Sequence, residues 1–283
     1  MKIYENQRFI GERALFASKD ITVKSSIFED GESPLKESCG VKLLNCSFAW
    51  KYPLWYCRNV SVESAHFATT ARSGIWYTHG IEMKDCVIDA PKTFRRSSGI
   101  RLDSVKMLFA EETLWSSSDV SLKNVTVRGD YFGMNCEDVY AEGLVVSGNY
   151  LFDGARRITV KNSTLISKDA FWNAEDVTVY DSVIVGEYLG WNSRRVRFVR
   201  CKIESNQGMC YMDDVVLEGC ELTKTDLAFE YSSVDADIIS TVDSVKNPLR
   251  GRIVADGFGE IILEPDRVDA SATEIAERMG ENG

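Results

Sequence analysis

Four acids recur in a stretch rich in tryptophan, tyrosine and amides: Asp130 in GDYFGMN, Asp153 in GNYLFDG, Asp169 in SKDAFWN and Glu187 in GEYLGWNS. Paired carboxyls suit glycosidic chemistry. One whose pKa is raised by crowding protonates a leaving oxygen, while a second activates water or attacks the sugar. Trp172, Trp191, Asn192 and Lys168 lie among them, and Trp76, Arg95 and Trp115 precede them. Indole faces stack on sugar rings, amides bond hydroxyls, and Lys168 or Arg95 would hold the carboxylate of an acidic sugar. The four acids are therefore the candidate catalytic residues and the other seven the candidate substrate-binding residues. A second basic cluster, Lys51, Arg72, Lys92, Arg95 and Arg96, also suits a uronate. A purely structural reading competes throughout, since stacked rings stabilise a wall and alternating Glu, Lys and Asp form surface ion-pair ladders.

What must position these side chains is an internal repeat. From Ile21 to Val215 eleven copies follow one another at 19 to 21 residues, among them ITVKSSIF from Ile21, VKLLNCSF from Val41, ITVKNSTL from Ile158 and VTVYDSVI from Val177. With the first apolar residue as position 0, positions 0 and 2 are apolar and position 1 mostly polar, the alternation of a half-buried strand. Position 4 holds corner formers such as Asn45, Ser64, Asp85, Asn124 and Asn162. A second short strand follows, with Phe28, Phe48, Phe67 or Ile184 at position 7. A third strand is expected before each copy, around inward residues at position −6 such as Leu35, Leu54, Ile75, Phe94 and Phe171.

A unit of this size cannot bury its apolar residues alone and must stack on its neighbours. The expected fold is all-β, a right-handed single-stranded parallel β-helix of about eleven coils, a rod roughly 50 Å long at the usual strand spacing. No hexad repeat supports the left-handed form. The tryptophans and candidate acids fall at positions −9 to −4, on one outer wall.

No linker interrupts the chain. Residues 1–231 read as the helix, and 232–283 as irregular C-terminal coils of the same domain closed by a short capping helix. The capping signal is SATE from Ser271, with Ile275 and Met279 on one helical face and Gly280 at its end. No such cap is visible before Ile21, where MKIYENQRF offers one short strand at most, so a partner chain or second copy covering that end is an option.

A net charge of −10, from 33 Lys and Arg against 43 Asp and Glu, argues against a nucleic-acid backbone or an anionic membrane as partner. The N-terminal residues lack the apolar core of a secretory signal, and no window has the length of a membrane span. A cytoplasmic protein is expected, one that meets oligosaccharides rather than extracellular polymer. Four of eight cysteines, Cys46, Cys86, Cys201 and Cys220, share position 5 and read as small inward residues. With no CxxC and two histidines, neither a metal site nor a cofactor is expected. The N-x-S/T triplets at Asn45, Asn59, Asn124 and Asn162 fall at or beside corners, where turn chemistry accounts for them.

GERALF from Gly11, WKYPLWYC from Trp50, GIWYT from Gly74, GDYFG from Gly129, SKDAFWN from Ser167, GEYLGWNS from Gly186 and TDLAFEYS from Thr225 resemble a bacterial family of β-helix proteins known as DUF3737. The resemblance spans nearly the whole chain. It implies a pectin-lyase-like right-handed helix and supplies no catalytic residues to carry over. Pectate lyases and polygalacturonases share that architecture more distantly, and fold alone transfers no activity. Two functions remain: a carbohydrate-active enzyme that hydrolyses or eliminates glycosidic bonds of an oligosaccharide, acidic ones included, or a non-catalytic carbohydrate-binding or scaffold solenoid.

Overall fold

The computed structural model describes residues 2–278 and shows an all-β parallel β-helix. The chain divides into two compact units, residues 1–148 and 149–283, each built from the same coil. The first unit contributes eight long-wall strands, from Lys2–Glu5 to Glu137–Glu142, and the second contributes seven, from Arg156–Lys161 to Thr273–Glu277. Fifteen coils are thus described, where the repeat read from sequence accounts for eleven.

Register follows the alignment of the copies. In the first unit Ile21 pairs with Val41, Val41 with Val60 and Val60 with Ile81. In the second, Ile158 pairs with Val177, Val177 with Val196 and Val196 with Val215. Positions 0 and 2 are buried and position 1 faces outward, as a strand period of two requires. Inside, identical residues stack on themselves. Phe9, Phe28, Phe48 and Phe67 form a column with ring centroids 4.7, 4.7 and 4.6 Å apart, close to the strand spacing. Each fully buried ring contributes roughly 1.5–3 kcal/mol of apolar burial.

Two corners bend each of the eleven repeat copies through left-handed backbone. At position 4 stand Asn45, Asn124, Asn162 and Asp181, with φ of 51°, 52°, 49° and 48°. Position −1 is also left-handed, and Asn59 sits there at φ 52°. All four N-x-S/T asparagines are therefore corner residues. On the coil after Asn59, Gly80 has φ +73°, and an added Cβ would lie 3.0 Å from Asn59 Oδ1. The asparagine side chain occupies the space that a side chain at 80 would need.

The third side differs from expectation. It is a run of turns rather than a strand, with left-handed residues at positions −8, −6 and −4, as in Asp169, Phe171 and Asn173 at φ 58°, 59° and 53°. Its amides still bond the adjacent coils: Phe171 N–H donates to the Leu151 carbonyl at 2.8 Å and Asn173 N–H to that of Trp191 at 3.0 Å. Position −6 points inward as expected, with Leu35, Leu54, Ile75, Phe94 and Phe171 all 0% exposed.

Both ends correct the sequence reading. Lys2–Glu5 pairs with Ile21–Lys24 and Arg8–Phe9 with Ile27–Phe28, so a complete coil precedes the first recognised copy. At the other end no capping helix forms over 271–278. A single 3-10 turn at Ala270–Ala272, capped by Asp269, leads into the strand Thr273–Glu277, which pairs with Gly251–Ala255. Ile275 stands opposite Ile253. Pairing with an open strand edge satisfies the backbone better than one or two turns of isolated helix. Met279 and Gly280 lie outside the described residues. The cysteines are free and all but Cys39 are buried, and burial pushes the Cys57 and Cys136 thiols up to about 12.

Candidate functional site

The tryptophan row joins coil to coil. Each of its indole N–H groups donates to the position −8 carbonyl of the following coil: Trp55 to Ser73 at 2.5 Å, Trp76 to Lys92 at 2.7 Å, Trp115 to Tyr131 at 2.8 Å, Trp172 to Tyr188 at 3.1 Å and Trp191 to Gln207 at 2.6 Å. The ring faces also meet one another. Trp55 and Trp76 stack at 5.2 Å, and Trp172 and Trp191 at 6.1 Å. Arg95 replaces an indole in the row and lies between Trp76 and Trp115, with its guanidinium carbon 4.8 and 4.4 Å from their ring centroids. Its Nη2 bonds Glu112 at 3.0 Å.

Three of the four acids, Asp153, Asp169 and Glu187, lie in the second unit. Asp130 belongs to the first unit, is exposed, and accepts the Glu112 N–H on its backbone carbonyl at 3.0 Å. In the second unit, Glu187 pairs with Lys168 at 3.3 Å, both half-exposed, and that ammonium lies 5.0 Å from the Tyr188 ring. Asp153 accepts from Asn173 Nδ2 at 2.9 Å, and Asn173 Oδ1 accepts from Asn192 Nδ2 at 2.7 Å. This amide chain spans three coils.

Asp169 is closed off. It is 2% exposed, takes a hydrogen bond from the Tyr150 hydroxyl, and leaves Oδ1 buried without a partner. Burial raises its pKa above the usual carboxylate range, and the charges of Glu187 and Asp153 add to the rise. Lys168 and the Tyr150 hydroxyl oppose it. Among the described residues, no three His, Cys, Asp or Glu side chains converge as a metal site.

A concavity lies beside this patch, in the second unit, where the turn wall meets the long wall. It is a groove of about 620 Å³. One rim carries the left-handed residues Asn173, Asn192, Tyr211 and Tyr231. Buried Ala174, Ser193 and Met212 form the floor. The other rim is a ladder of alternating charge, Arg156, Glu175, Arg194 and Asp213, with Ser233 and Arg250 beyond. Tyr211 is 44% exposed and rests edge-on against Trp191 at 5.0 Å.

Glu175 is held from three sides. Arg194 Nη2 bonds its Oε2 at 2.5 Å, Arg195 bonds Oε1, and Arg156 Nε lies 3.8 Å from Oε2. The Arg194 bond, followed by that of Arg195, holds its carboxyl below the usual range. A carboxylate so engaged is a poor proton donor. Of the residues expected from sequence to bind substrate, the groove includes Asn192. It also recruits the position −2 ladder, which the sequence reading passed over. The sign alternation Arg156, Glu175, Arg194, Asp213 in successive copies was the available signal.

Residues 2–276 match the family described as "Protein of unknown function (DUF3737)". The chain belongs to DUF3737. Two of the stretches that carry the family likeness, SKDAFWN and GEYLGWNS, supply Asn173 and Asn192 to the groove rim. No curated protein matches this DUF3737 sequence. Among solved structures, the A-module of mannuronan C-5 epimerase AlgE4 from Azotobacter vinelandii aligns at 9% identity over 98% of this chain and 88% of its own, with a TM-score of 0.29. Full-length QnrB1, a plasmid-mediated fluoroquinolone resistance protein, aligns at 15% identity over 78% and 93%, with a TM-score of 0.27. A mutant of the periplasmic alginate epimerase AlgG aligns at 8% identity over 92% and 73%, with a TM-score of 0.24. None reaches the level at which a shared activity follows. No helix among the described residues is long and apolar enough to cross a membrane.

Proposed function

We propose that this DUF3737 protein is a carbohydrate-binding β-helix that seats an oligosaccharide in the groove beside Asn173, Asn192 and Tyr211. The amide chain from Asn192 through Asn173 to Asp153, next to the exposed Tyr211 ring, carries the reading. An exposed aromatic face for sugar C–H groups, a row of amides for hydroxyls and a groove open along the coil axis together suit a short chain of pyranoses. Binding is favoured over bond cleavage because the groove's central carboxylate, Glu175, is locked by arginines. Away from the groove, Lys168 and Glu187 neutralise each other.

One observation supports a catalytic alternative: the buried, unpartnered Oδ1 of Asp169, in a carboxyl whose pKa burial raises. A hydroxyl reaching it after movement of Tyr150 or Lys168 would meet a proton donor. Titration of a panel of oligosaccharides into wild type, Asn192→Ala and Tyr211→Ala tests the first reading, which expects weaker binding in both variants. Absence of binding across the panel refutes it. New reducing ends released by wild type but not by Asp169→Asn would favour the alternative.

A further inference from the structure

Resting on that reading, we infer that the groove's ligand is an acidic glycan, whose carboxylates are taken by the guanidinium groups of Arg156, Arg194 and Arg250. Three arginines, Arg156, Arg194 and Arg195, converge on Glu175 and leave neither of its oxygens unengaged. Asp176 is a further carboxylate bonded to that cluster, through Arg195 at 2.6 Å. Positive charge is locally in excess, in a chain whose net charge is −10.

The arginines facing the groove also keep unused donors. Arg194 engages Glu175 through Nη2, and Arg250 engages Asp213 through Nη2 at 3.3 Å. Among the described residues, the Nε and Nη1 groups of both have no protein partner. Their side chains are 54% and 67% exposed. A free Nε–Nη edge is the fork that receives a carboxylate through two parallel hydrogen bonds, which an ammonium cannot reproduce.

Spacing sets the arrangement. Arg156 and Arg194 lie two coils apart, about 9–10 Å at the usual strand spacing. In an extended 1,4-linked chain, every second sugar turns the same edge toward the protein, so two alternate uronates meet Arg156 and Arg194 while the intervening Glu175 faces a hydroxyl-bearing edge; Arg250, rooted three coils beyond Arg194, reaches back to Asp213 and closes that end of the row. A neutral glycan would use the amide and tyrosine rim and leave the forks to water.

The test compares two oligomers of equal length and linkage, a 1,4-linked glucan and the corresponding glucuronan, titrated calorimetrically at low and high salt. Glucuronan should bind at least about tenfold tighter at low salt, an advantage that shrinks as salt screens the exposed pairs. Arg194→Gln with Arg250→Gln should abolish the preference. Arg194→Lys, which keeps the charge and loses the fork, should reduce it. Equal affinity for the two oligomers overturns the acidic ligand and leaves carbohydrate binding standing. A preference that survives in the double variant also overturns it. If neither oligomer nor any other glycan binds, the carbohydrate reading fails and this inference falls with it.

Discussion

Replacing Trp172 with alanine asks whether the tryptophan row holds the coils together. The indole stacks on Trp191 at 6.1 Å with 16° between planes and meets the Tyr150 ring edge-on at 6.1 Å. Each such pair contributes about 0.5–1.5 kcal/mol beyond area burial. The N–H bond to the Tyr188 carbonyl, 3.1 Å long, adds about 0.5–1.5 kcal/mol. With the apolar area of a half-buried ring included, Trp172→Ala should destabilise by about 3–5 kcal/mol. Trp172→Phe keeps the ring contacts, loses the hydrogen bond and should cost about 1 kcal/mol. Urea unfolding followed by circular dichroism gives both values, and a double-mutant cycle with Trp191 should give a coupling of about 0.5–1.5 kcal/mol. A loss below about 1 kcal/mol in Trp172→Ala, with additive effects of the pair, would refute the stapling role. If such a variant also lost glycan binding, the indole would instead be a ligand platform.

Two further outcomes are expected. Gly186→Ala places a Cβ 2.0 Å from the Ser167 carbonyl oxygen at φ +155°; the coils must part locally, lowering stability by about 2–3 kcal/mol or more, and an unchanged melting temperature would contradict the close approach. Asp169 holds its proton more tightly folded than unfolded, so its contribution to stability is present below the unfolded pKa near 3.8 and is lost as pH rises through the higher folded value. Relative to Asp169→Asn, wild type should therefore weaken as pH rises from about 4 toward neutrality, and parallel stability curves would show that the carboxyl titrates alike in both states.

The parallel coil was legible because apolar identity at positions 0, 2 and 7 is what stacking buries, and Val41, Val60 and Ile81 lie opposite one another as their alignment implies. The turn wall was not legible. Phe171 and Leu114, left-handed at φ 59° and 61°, have no local preference for that backbone, which stacked neighbours impose on them. The first coil escaped notice because Lys2 occupies position 0, where the other copies place an apolar residue. The last coils did because Gly251 and Thr273 stand there and the periods become unequal. The capping box at Ser271 is a local signal overridden by a strand edge distant in sequence. For the site, side-chain chemistry was visible but its employment was not. Indole N–H groups look free in a sequence, whereas in the fold Trp55, Trp76, Trp115, Trp172 and Trp191 each meet a carbonyl of the following coil.

The one-coil offset of nearly every backbone bond also bears on how such a molecule changes over generations. A coil answers only to the coils on either side of it, as Phe171 answers to Leu151 and Trp172 to Tyr188. An in-frame duplication of the nineteen residues from Lys168 to Gly186 would enter as one more rung and lengthen both rims of the groove by about 4.8 Å. Deleting the same segment would shorten them equally. Groove length is thus open to change by a single recombination, whereas the chemistry of its lining needs separate point mutations along each rim.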